Sequence, residues 1–459
     1  MEALAAKKAP VTNMYYPGPI LRKNEISEPN YFMHNGPLPH IAASLGGAEK
    51  TYSSWILINL ISHWVVAWVI FLIAKKYSNL RIANWSAAFY LLSPIAIWQS
   101  INMLQEQFYA GLLAISILGI IFHDRLLAHS ITVAALITGI LSHPIFLIIA
   151  LIHATVIIST GLSKKSYKQA LLGLFLAVVY LIIKKYTNLQ FPSSFQPNLS
   201  AIIQGSVPRV SNMMWHYSDA QVPIDFSLIK NKISFAASEH FFRLKNAPIY
   251  LFTNIALFSY VYLLLLKRKN YHWTLWITLG AVFGCYLAIL TLMQTQARYQ
   301  QIISVVSFIS IALACHQLAS KIHLPPKLLS IARSAALLAT LSISLFMAHS
   351  AHRQGSLEAV AMSQLTDRFS TLAEDARILI LDSEHELKLG YILKPRKVLA
   401  VRSSFIEESS YSKSIELFEP THAISTREIP LTSSAFENYP PIENVNSEYL
   451  GDFYIRQLK

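Results

Sequence analysis

Long apolar stretches recur along most of the sequence, and they restrict the chain to one class of fold. Each stretch is close to the roughly 20 residues that a helix needs to cross the hydrocarbon core of a bilayer. They lie between Trp55 and Met347, at about 55–74, 83–100, 107–122, 128–142, 144–161, 168–187, 248–266, 272–293, 299–319 and 328–348. The pattern predicts an all-α polytopic membrane domain with about ten transmembrane helices, of which the third to fifth are the shortest.

Basic residues between the apolar runs indicate the side of the membrane on which each loop lies, because Lys and Arg gather in cytoplasmic loops. Every second loop is basic, through Lys75, Lys76, Arg81, Arg125, Lys164, Lys165, Lys168, Lys267, Arg268, Lys269, Lys321 and Lys327. The alternate short loops carry almost no such charge, and Arg298 is the exception. We therefore expect six parts of the chain on the outer side: the N-terminal segment, the loop QSINMLQEQ (99–107) that contains Glu106, the hairpin at 142–144, a long loop at about 188–247, the loop QTQARYQQ (294–301) and the C-terminal region.

The segments outside the apolar runs complete the predicted domain organisation. Residues 1–54 are polar and proline-rich, and this composition predicts a loop segment at the N-terminus, on the outer side. Either a first helix is missing from the chain, or this segment is exported and the first helix acts as a reverse anchor. Residues 55–348 then form the membrane domain, whose long outer loop at about 188–247 is either a structural cap or a substrate-binding lid.

From residue 349 to residue 459 the composition becomes that of a soluble protein. An amphipathic helix is expected at 357–374, and buried strands are expected at 376–382, 397–402 and 452–458. This pattern predicts a small α/β extramembrane domain on the outer side. It contains no glycine-rich phosphate loop, so no nucleotide cofactor is expected there.

Charge and cysteine usage exclude several classes of protein. The formal net charge is +13, but the basic residues are scattered over loops and form no patch interleaved with stacking aromatics. We therefore expect membrane lipids and no nucleic acid as partners. Cys285 and Cys315 both fall inside predicted helices, so they offer no disulfide framework and favour a packing role.

Carboxylates are scarce before residue 349, and any acid/base or metal chemistry on the outer side must draw on them. They are Glu2, Glu25, Glu28, Glu49, Glu106, Asp124, Asp219, Asp225 and Glu239. Glu106 lies between two apolar runs, where a carboxylate is costly unless it faces a cavity, a partner or water. Glu25 and Glu28 are three residues apart and share one face if their segment is helical, so they could divide the roles of base and metal ligand. Solvated loop carboxylates are the alternative.

Three further residues could bind a ligand. His143 precedes a proline between two apolar runs, at a position that suits the first turn of a helix, where anions are favoured. His34 lies in the N-terminal segment, where a hydrogen-bonded interfacial histidine is the simpler interpretation. Arg298 breaks the charge rule in a short outer loop, and it either binds a phosphate or reaches outer headgroups.

At this point the chain resembles the type-C glycosyltransferase superfamily, in particular the protein mannosyltransferases and the aminoarabinose transferases. The segments that carry the resemblance are NEISEPNYFMHNGPLPH (24–40), SPIAIWQSINMLQEQFYAGLL (93–113), ITGILSHP (137–144), the Arg298-Tyr299 pair with the helix that follows it, and GYILKPRKVLAV (390–401). The family usually has Asp or an Asp-Glu pair in its first outer loop, whereas this chain has Asn24-Glu25. The resemblance therefore leaves the catalytic base open between Glu25 and Glu28.

The resemblance implies an enzyme that transfers a sugar from a polyprenyl-phosphate donor to a lipid, glycan or protein acceptor. Glu25 or Glu28 would take the proton of the acceptor hydroxyl, and Glu106 would orient the site or hold a divalent metal ion. Arg298, Tyr299, His143 and His34 would contact the donor. The expected location is a bacterial inner membrane, with several membrane passes and the site on the outer, periplasmic face.

Two other functions are compatible with the same residues. The protein could polymerise or ligate surface polysaccharide, since that reaction also uses a lipid-linked substrate on the outer face. It could instead be a non-catalytic membrane assembly protein, with solvated loop acids and a C-terminal domain that binds a partner.

Overall fold

The computed structural model describes residues 14–15, 51–100, 106–122, 126–143, 145–190, 206–210, 217–223, 225–227, 230–231, 234, 248–266, 273–292, 300–321, 326–381, 389–390, 392–393, 395–401, 409–425, 443–447 and 451–458. The chain divides into two compact units. One comprises Met1–His34, Ser193–Asp225 and Ser350–Lys459, and we call it the sheet unit. The other comprises Asn35–Pro192 and Phe226–His349, and we call it the helical unit.

Helices account for the described part of the helical unit. They are α1 (Thr51–Tyr77), α2 (Leu80–Leu91), α3 (Pro94–Ser100), α4 (Glu106–Ile121), α5 (Leu126–Ile140), α6 (Ile145–Ser163), α7 (Tyr167–Gln190), α8 (Pro248–Leu265), α9 (Trp273–Leu292), α10 (Ser304–Lys321) and α11 (Pro326–Phe369). Among the described residues, four stretches are long and apolar enough to cross a membrane: Ile56–Tyr77, Ile145–Ser163, Tyr167–Lys185 and Ser330–Ser350. The remaining apolar helices are shorter. This is a polytopic membrane fold, although the predicted number of about ten spans is not confirmed.

Two boundaries differ from the sequence-based prediction. The run at 83–100 forms two helices, because Leu92 and Ser93 interrupt it and α3 then starts at Pro94, where proline suits the first turn. The apolar run at 328–348 and the amphipathic segment at 357–374 belong to one continuous helix, the 44-residue α11. Hydropathy indicates which residues suit a bilayer but does not indicate where a helix ends.

Small residues and polar side chains join the helices of this unit. A side chain at Gly119 on α4 would collide with Thr132 on α5, so the glycine permits the close contact of these two helices. His129 Nδ1 lies 3.3 Å from His153 Nε2, and His153 Nδ1 lies 3.1 Å from the Tyr180 hydroxyl. These contacts connect α5, α6 and α7 through hydrogen bonds within an apolar core.

A six-stranded sheet forms the core of the sheet unit. Its strands are β1 (Met14–Tyr15), β4 (Arg377–Leu381), β5 (Lys397–Val401), β6 (His422–Ser425), β7 (Glu443–Ser447) and β8 (Gly451–Gln457), in the spatial order β1-β5-β4-β6-β8-β7. The first four strands in that order pair in parallel, whereas β8 is antiparallel to both β6 and β7. The predicted strands at 376–382, 397–402 and 452–458 correspond to β4, β5 and β8. β1, β6 and β7 were not anticipated.

Both faces of this sheet are covered, as the continuous apolar sequence of its central strands requires. Ile378 and Ile380 pack on one side with Leu365 and Phe369 from the end of α11. Leu379 and Leu381 pack on the other side, beneath the helix α12 (Ser409–Phe418). A separate antiparallel hairpin, β2 (Ser206–Val210) and β3 (Tyr217–Pro223), lies in the long loop.

Arg396 has a structural role in the sheet unit. Its guanidinium is buried and donates hydrogen bonds to the backbone carbonyls of Ser370, Leu372 and Ala373, directly after α11 ends. Carbonyls at a helix C-terminus have no partner within the helix, and a cation there also interacts favourably with the helix dipole. The arginine of the GYILKPRKVLAV segment therefore holds the turn that follows α11.

Candidate functional site

Glu106 is the first residue of α4, and only 4% of its surface is exposed. Within the described residues of the helical unit it is the one Asp or Glu side chain. Its place in the first turn favours a negative charge, because the unpaired N–H groups and the dipole of a helix N-terminus stabilise an anion. A buried carboxylate in an apolar bundle is thus compensated by the backbone that follows it.

A cluster of neutral polar side chains lies directly beside Glu106. Tyr90 on α2, Gln107 on α4 and Gln301, just before α10, are each fully buried. Gln301 Nε2 donates to Gln107 Oε1 at 2.6 Å and lies 3.0 Å from the Tyr90 hydroxyl, and Gln107 Nε2 also lies 3.0 Å from that hydroxyl. We call these three residues the amide junction, and it joins three helices that are distant in sequence.

Further contacts place three other helices, α1, α8 and α11, around the amide junction. The His63 ring on α1 lies 5.1 Å from the Tyr90 ring, and its Nε2 is 3.2 Å from the Leu91 carbonyl. Gln300 is hydrogen-bonded to Thr253 on α8, and the Ser344 hydroxyl on α11 bonds to the Leu92 carbonyl. We call the end of the helical unit at which the amide junction lies the site end.

His143 belongs to the same end of the unit. It lies in the turn between α5 and α6, where the Ile145 N–H donates to its Nδ1 at 3.2 Å, so Nε2 carries the ring hydrogen. Its ring lies 5.1 Å from that of Tyr109, which is three residues after Glu106 on α4. Burial, together with the smaller effect of the positive charge of Lys184, lowers the pKa of His143 to about 4. His143 is therefore neutral near pH 7 and offers one N–H donor.

The sequence analysis overlooked two features of the site end. The amide junction gives no charge signal, because its glutamine and tyrosine side chains are neutral near pH 7. Lys184, which acts electrostatically on His143, could have been recognised. It lies near the end of an apolar run, on the side where the alternate loops are almost without basic residues, and it is thus an exception of the same kind as Arg298.

Of the predicted site residues, the structure describes Glu106 and His143. Both lie at the site end, because His143 contacts Tyr109, which is three residues after Glu106 on α4. Glu25, Glu28, His34, Arg298 and Tyr299 lie outside the described residues, so their roles remain predictions. Gln300 and Gln301, two and three residues after Arg298, are the described residues nearest in the chain to the Arg298-Tyr299 pair.

A divalent metal at Glu106 also remains a prediction. In the part of the chain that the structure describes, no group of three His, Cys, Asp or Glu side chains could hold a metal ion. The described residues alone therefore do not form a metal centre, and Glu106 contributes a single carboxylate to this end.

The folds of solved proteins provide an independent comparison. No protein-family profile matches the sequence, and no curated protein matches it. ArnT from Cupriavidus metallidurans matches in two crystal structures, one bound to undecaprenyl phosphate and one in the apo state. Each match has 11% identity and a TM-score of 0.51, and covers 96% of this chain and 92% of ArnT.

An oligosaccharyltransferase from Archaeoglobus fulgidus, in a complex with Zn and sulfate, matches less well. That match has 16% identity and a TM-score of 0.44, and covers 86% of this chain and 59% of the other. ArnT, whose match extends over almost the full length of both chains, belongs to the superfamily that the sequence motifs indicated. The chain thus has the fold of the type-C glycosyltransferases, as its resemblance to that superfamily predicts.

Proposed function

We propose that the protein is an integral membrane glycosyltransferase that moves a sugar from a polyprenyl-phosphate-linked donor to an acceptor on the outer, periplasmic face. The shared fold supports this function, because ArnT binds undecaprenyl phosphate in one of the matching structures. The buried carboxylate at the start of α4 also supports it, since a lone acid within an apolar bundle is a functional residue by default.

One observation carries the proposal more than any other: the 2.6 Å hydrogen bond between Gln301 and Gln107. Gln107 follows Glu106 in the chain, and Gln301 lies three residues after Arg298. A few residues of chain reach at most about 3.5 Å each. The bond therefore supports a site in which Glu106, at the start of α4, and Arg298 act on a single substrate.

In the proposed reaction, the acceptor hydroxyl oxygen attacks the anomeric carbon of the donor sugar. The bond between that carbon and the phosphate oxygen breaks, and the phosphate leaves with the electron pair. Glu25 or Glu28 takes the acceptor proton, and Glu106 orients the reacting groups.

The leaving phosphate gains negative charge, which donors in a site of low polarity stabilise strongly. Arg298 supplies a positive charge, while Tyr299, His34 and His143 supply hydrogen bonds. His143 contributes as a neutral Nε2–H donor, because its pKa is far below 7.

The test is sugar transfer in proteoliposomes, with a panel of radiolabelled undecaprenyl-phosphate sugars and a membrane extract as the source of acceptors. Glu106→Gln, and either Glu25→Gln or Glu28→Gln, should lower the transfer rate by about 100-fold or more, the usual effect of removing an acid/base group. Glu49→Gln is the matched control, since this carboxylate has no assigned role. Undiminished transfer by all three glutamine variants would refute the assigned roles, and absence of transfer by the wild type would refute the function.

A further inference from the structure

Two arginines occupy the same depth at the end of the helical unit opposite the site end. Helices α2 and α11 run in the same direction and meet near the site end, where Ser344 bonds to the Leu92 carbonyl. Arg333 precedes Ser344 by 11 residues, and Arg81 precedes Leu92 by the same number. At 1.5 Å per helical residue, both lie about 16 Å from that bond, in the same direction.

Contacts of α10 place a third helix at this end of α2. Ala312 on α10 packs against Ile82 and Ala83, which follow Arg81 on α2. Cys315 lies one turn further along α10 and is exposed. Arg333 interacts electrostatically with both Arg81 and Cys315, so the three residues lie at the same end of the helical unit. We call Arg81, Cys315 and Arg333 the arginine cleft.

The charges of the arginine cleft are not balanced by protein groups that the structure describes. The described residues of the helical unit contain no acidic side chain other than Glu106, which lies at the opposite end. The Nη1 atom of Arg333 is buried and has no hydrogen-bond partner among the described residues. Lys76, another basic residue at this end, already donates to the Ile121 carbonyl at 2.9 Å.

Two guanidinium groups held together without a carboxylate repel each other, and a buried, unpaired N–H group adds the cost of its lost hydration. An anion that accepts several hydrogen bonds removes both penalties. Phosphate oxygens suit this geometry, because the planar fork of arginine binds them through paired N–H···O bonds.

We propose that Arg81 and Arg333 bind one phosphate group at the end of the helical unit away from the site. Its source is either the headgroup of an anionic phospholipid or free phosphate. The position at the end of apolar helices, where headgroups lie, fits a phospholipid, and a basic pocket between membrane helices is a known kind of headgroup site. The proposal does not depend on the enzymatic activity, because no residue of the site end takes part in it.

The test uses Cys315 as a reporter within the cleft, in a full-length Cys285→Ser protein. The rate of maleimide labelling is measured in nanodiscs of phosphatidylcholine alone, with 30% phosphatidylglycerol, and with phosphatidylcholine plus inorganic phosphate. We expect phosphatidylglycerol to slow the labelling about fivefold, roughly the factor in binding that one arginine supplies at an anionic surface. Slowing by inorganic phosphate as well would identify solution phosphate as a ligand, and slowing by phosphatidylglycerol alone would identify the lipid.

The variant Arg81→Gln/Arg333→Gln should abolish the protection. Lys164→Gln/Lys168→Gln is the matched control, because it removes two exposed charges from the same end of the unit and should retain the protection. Gel filtration and thermal unfolding in phosphatidylcholine check that both variants fold. If phosphatidylglycerol slows the labelling of Cys315 equally in both double variants, the effect is a general attraction to the charged surface, and the proposal is wrong. The proposal is also wrong if phosphatidylglycerol does not slow the labelling of the parent protein.

Discussion

Glu106 and His143 differ in how burial affects them. Glu106 is nearly inaccessible, but it starts a helix whose N–H groups favour its charge. His143 has no such compensation for a positive charge, and the nearby Lys184 opposes protonation further. The site end therefore combines an acid that the backbone supports with an imidazole that stays neutral.

The isolation of Glu106 among apolar residues was sufficient to predict its importance from sequence. The neutral state of His143 was not predictable, because it results mainly from burial within the folded bundle and further from Lys184 on α7, which lies far away in the chain.

The low pKa of His143 makes the stability of the helical unit depend on pH. The folded pKa of about 4 lies below the ordinary value of 6.5, so the stabilisation is complete above about pH 6.5 and is lost as the pH falls towards 4. His143→Asn keeps an acceptor for the Ile145 N–H but does not titrate. At pH 5 the wild type should lose up to about 2 kcal/mol more stability than this variant, relative to pH 7.5.

Thermal unfolding of both proteins in detergent, followed by circular dichroism at the two pH values, measures this difference. An equal loss of stability on acidification would show that folding does not lower the pKa of His143.

At the scale of helices and strands, apolar runs predicted most elements of the helical unit to within a few residues, since burial in lipid demands both length and hydropathy. The predicted helix boundaries were wrong where features other than hydropathy determine where a helix ends. Leu92 and Ser93 interrupt the second run, and α11 continues beyond its apolar part. The short strands β6 and β7 were missed because pairing with β8, rather than a strong local pattern, defines them.

The amide junction leads to a prediction about helix association. Gln301→Leu removes the donor to Gln107 and Tyr90 and leaves buried oxygens with fewer partners. We expect a loss of about 1–3 kcal/mol in unfolding free energy. We also expect a coupling of about 0.5–3 kcal/mol between Gln301→Leu and Gln107→Leu in a double-mutant cycle.

Denaturant unfolding of the four proteins in mixed micelles gives the coupling. Gln317→Leu is the control, because Gln317 is a buried glutamine on α10 that lies 16 positions after Gln301. It should show no coupling to Gln107→Leu. Additive effects of the Gln107 and Gln301 substitutions would contradict the proposed role of the junction.

At the scale of the whole molecule, the chain forms a helical unit and a sheet unit, and the sheet unit draws on three separate parts of the sequence. Its C-terminal strands were predictable from their buried apolar pattern. The contribution of Met14–Tyr15 to the same sheet was not, because two residues carry no strand signal and pair with Val398 and Leu399 far along the chain.

Arg396 provides a test that is specific to the sheet unit. Arg396→Met keeps much of the side-chain volume but leaves the carbonyls of Ser370, Leu372 and Ala373 without their cationic donor. Because hydrogen bonds to charged groups contribute about 1.5–3 kcal/mol, we expect the sheet unit to lose about 2–4 kcal/mol of stability.

Hydrogen exchange measured by mass spectrometry should show faster exchange in β4 and β5 and unchanged exchange in α4 and α6. Lys397→Met, at the exposed neighbouring residue, is the control and should leave both patterns unchanged. Unaltered exchange in the β-strands of Arg396→Met would show that the hydrogen bonds of Arg396 contribute little to the stability of the sheet unit.

The composition of the amide junction has a consequence for enzymology. Its members are two carboxamides and a phenol, and none of these groups ordinarily gains or loses a proton between about pH 3 and pH 9. The hydrogen bonds that hold α2, α4 and α10 together near Glu106 thus remain the same over the range in which carboxylates titrate. A change of the turnover rate with pH in that range would then report on the reacting acids themselves rather than on a rearranged scaffold.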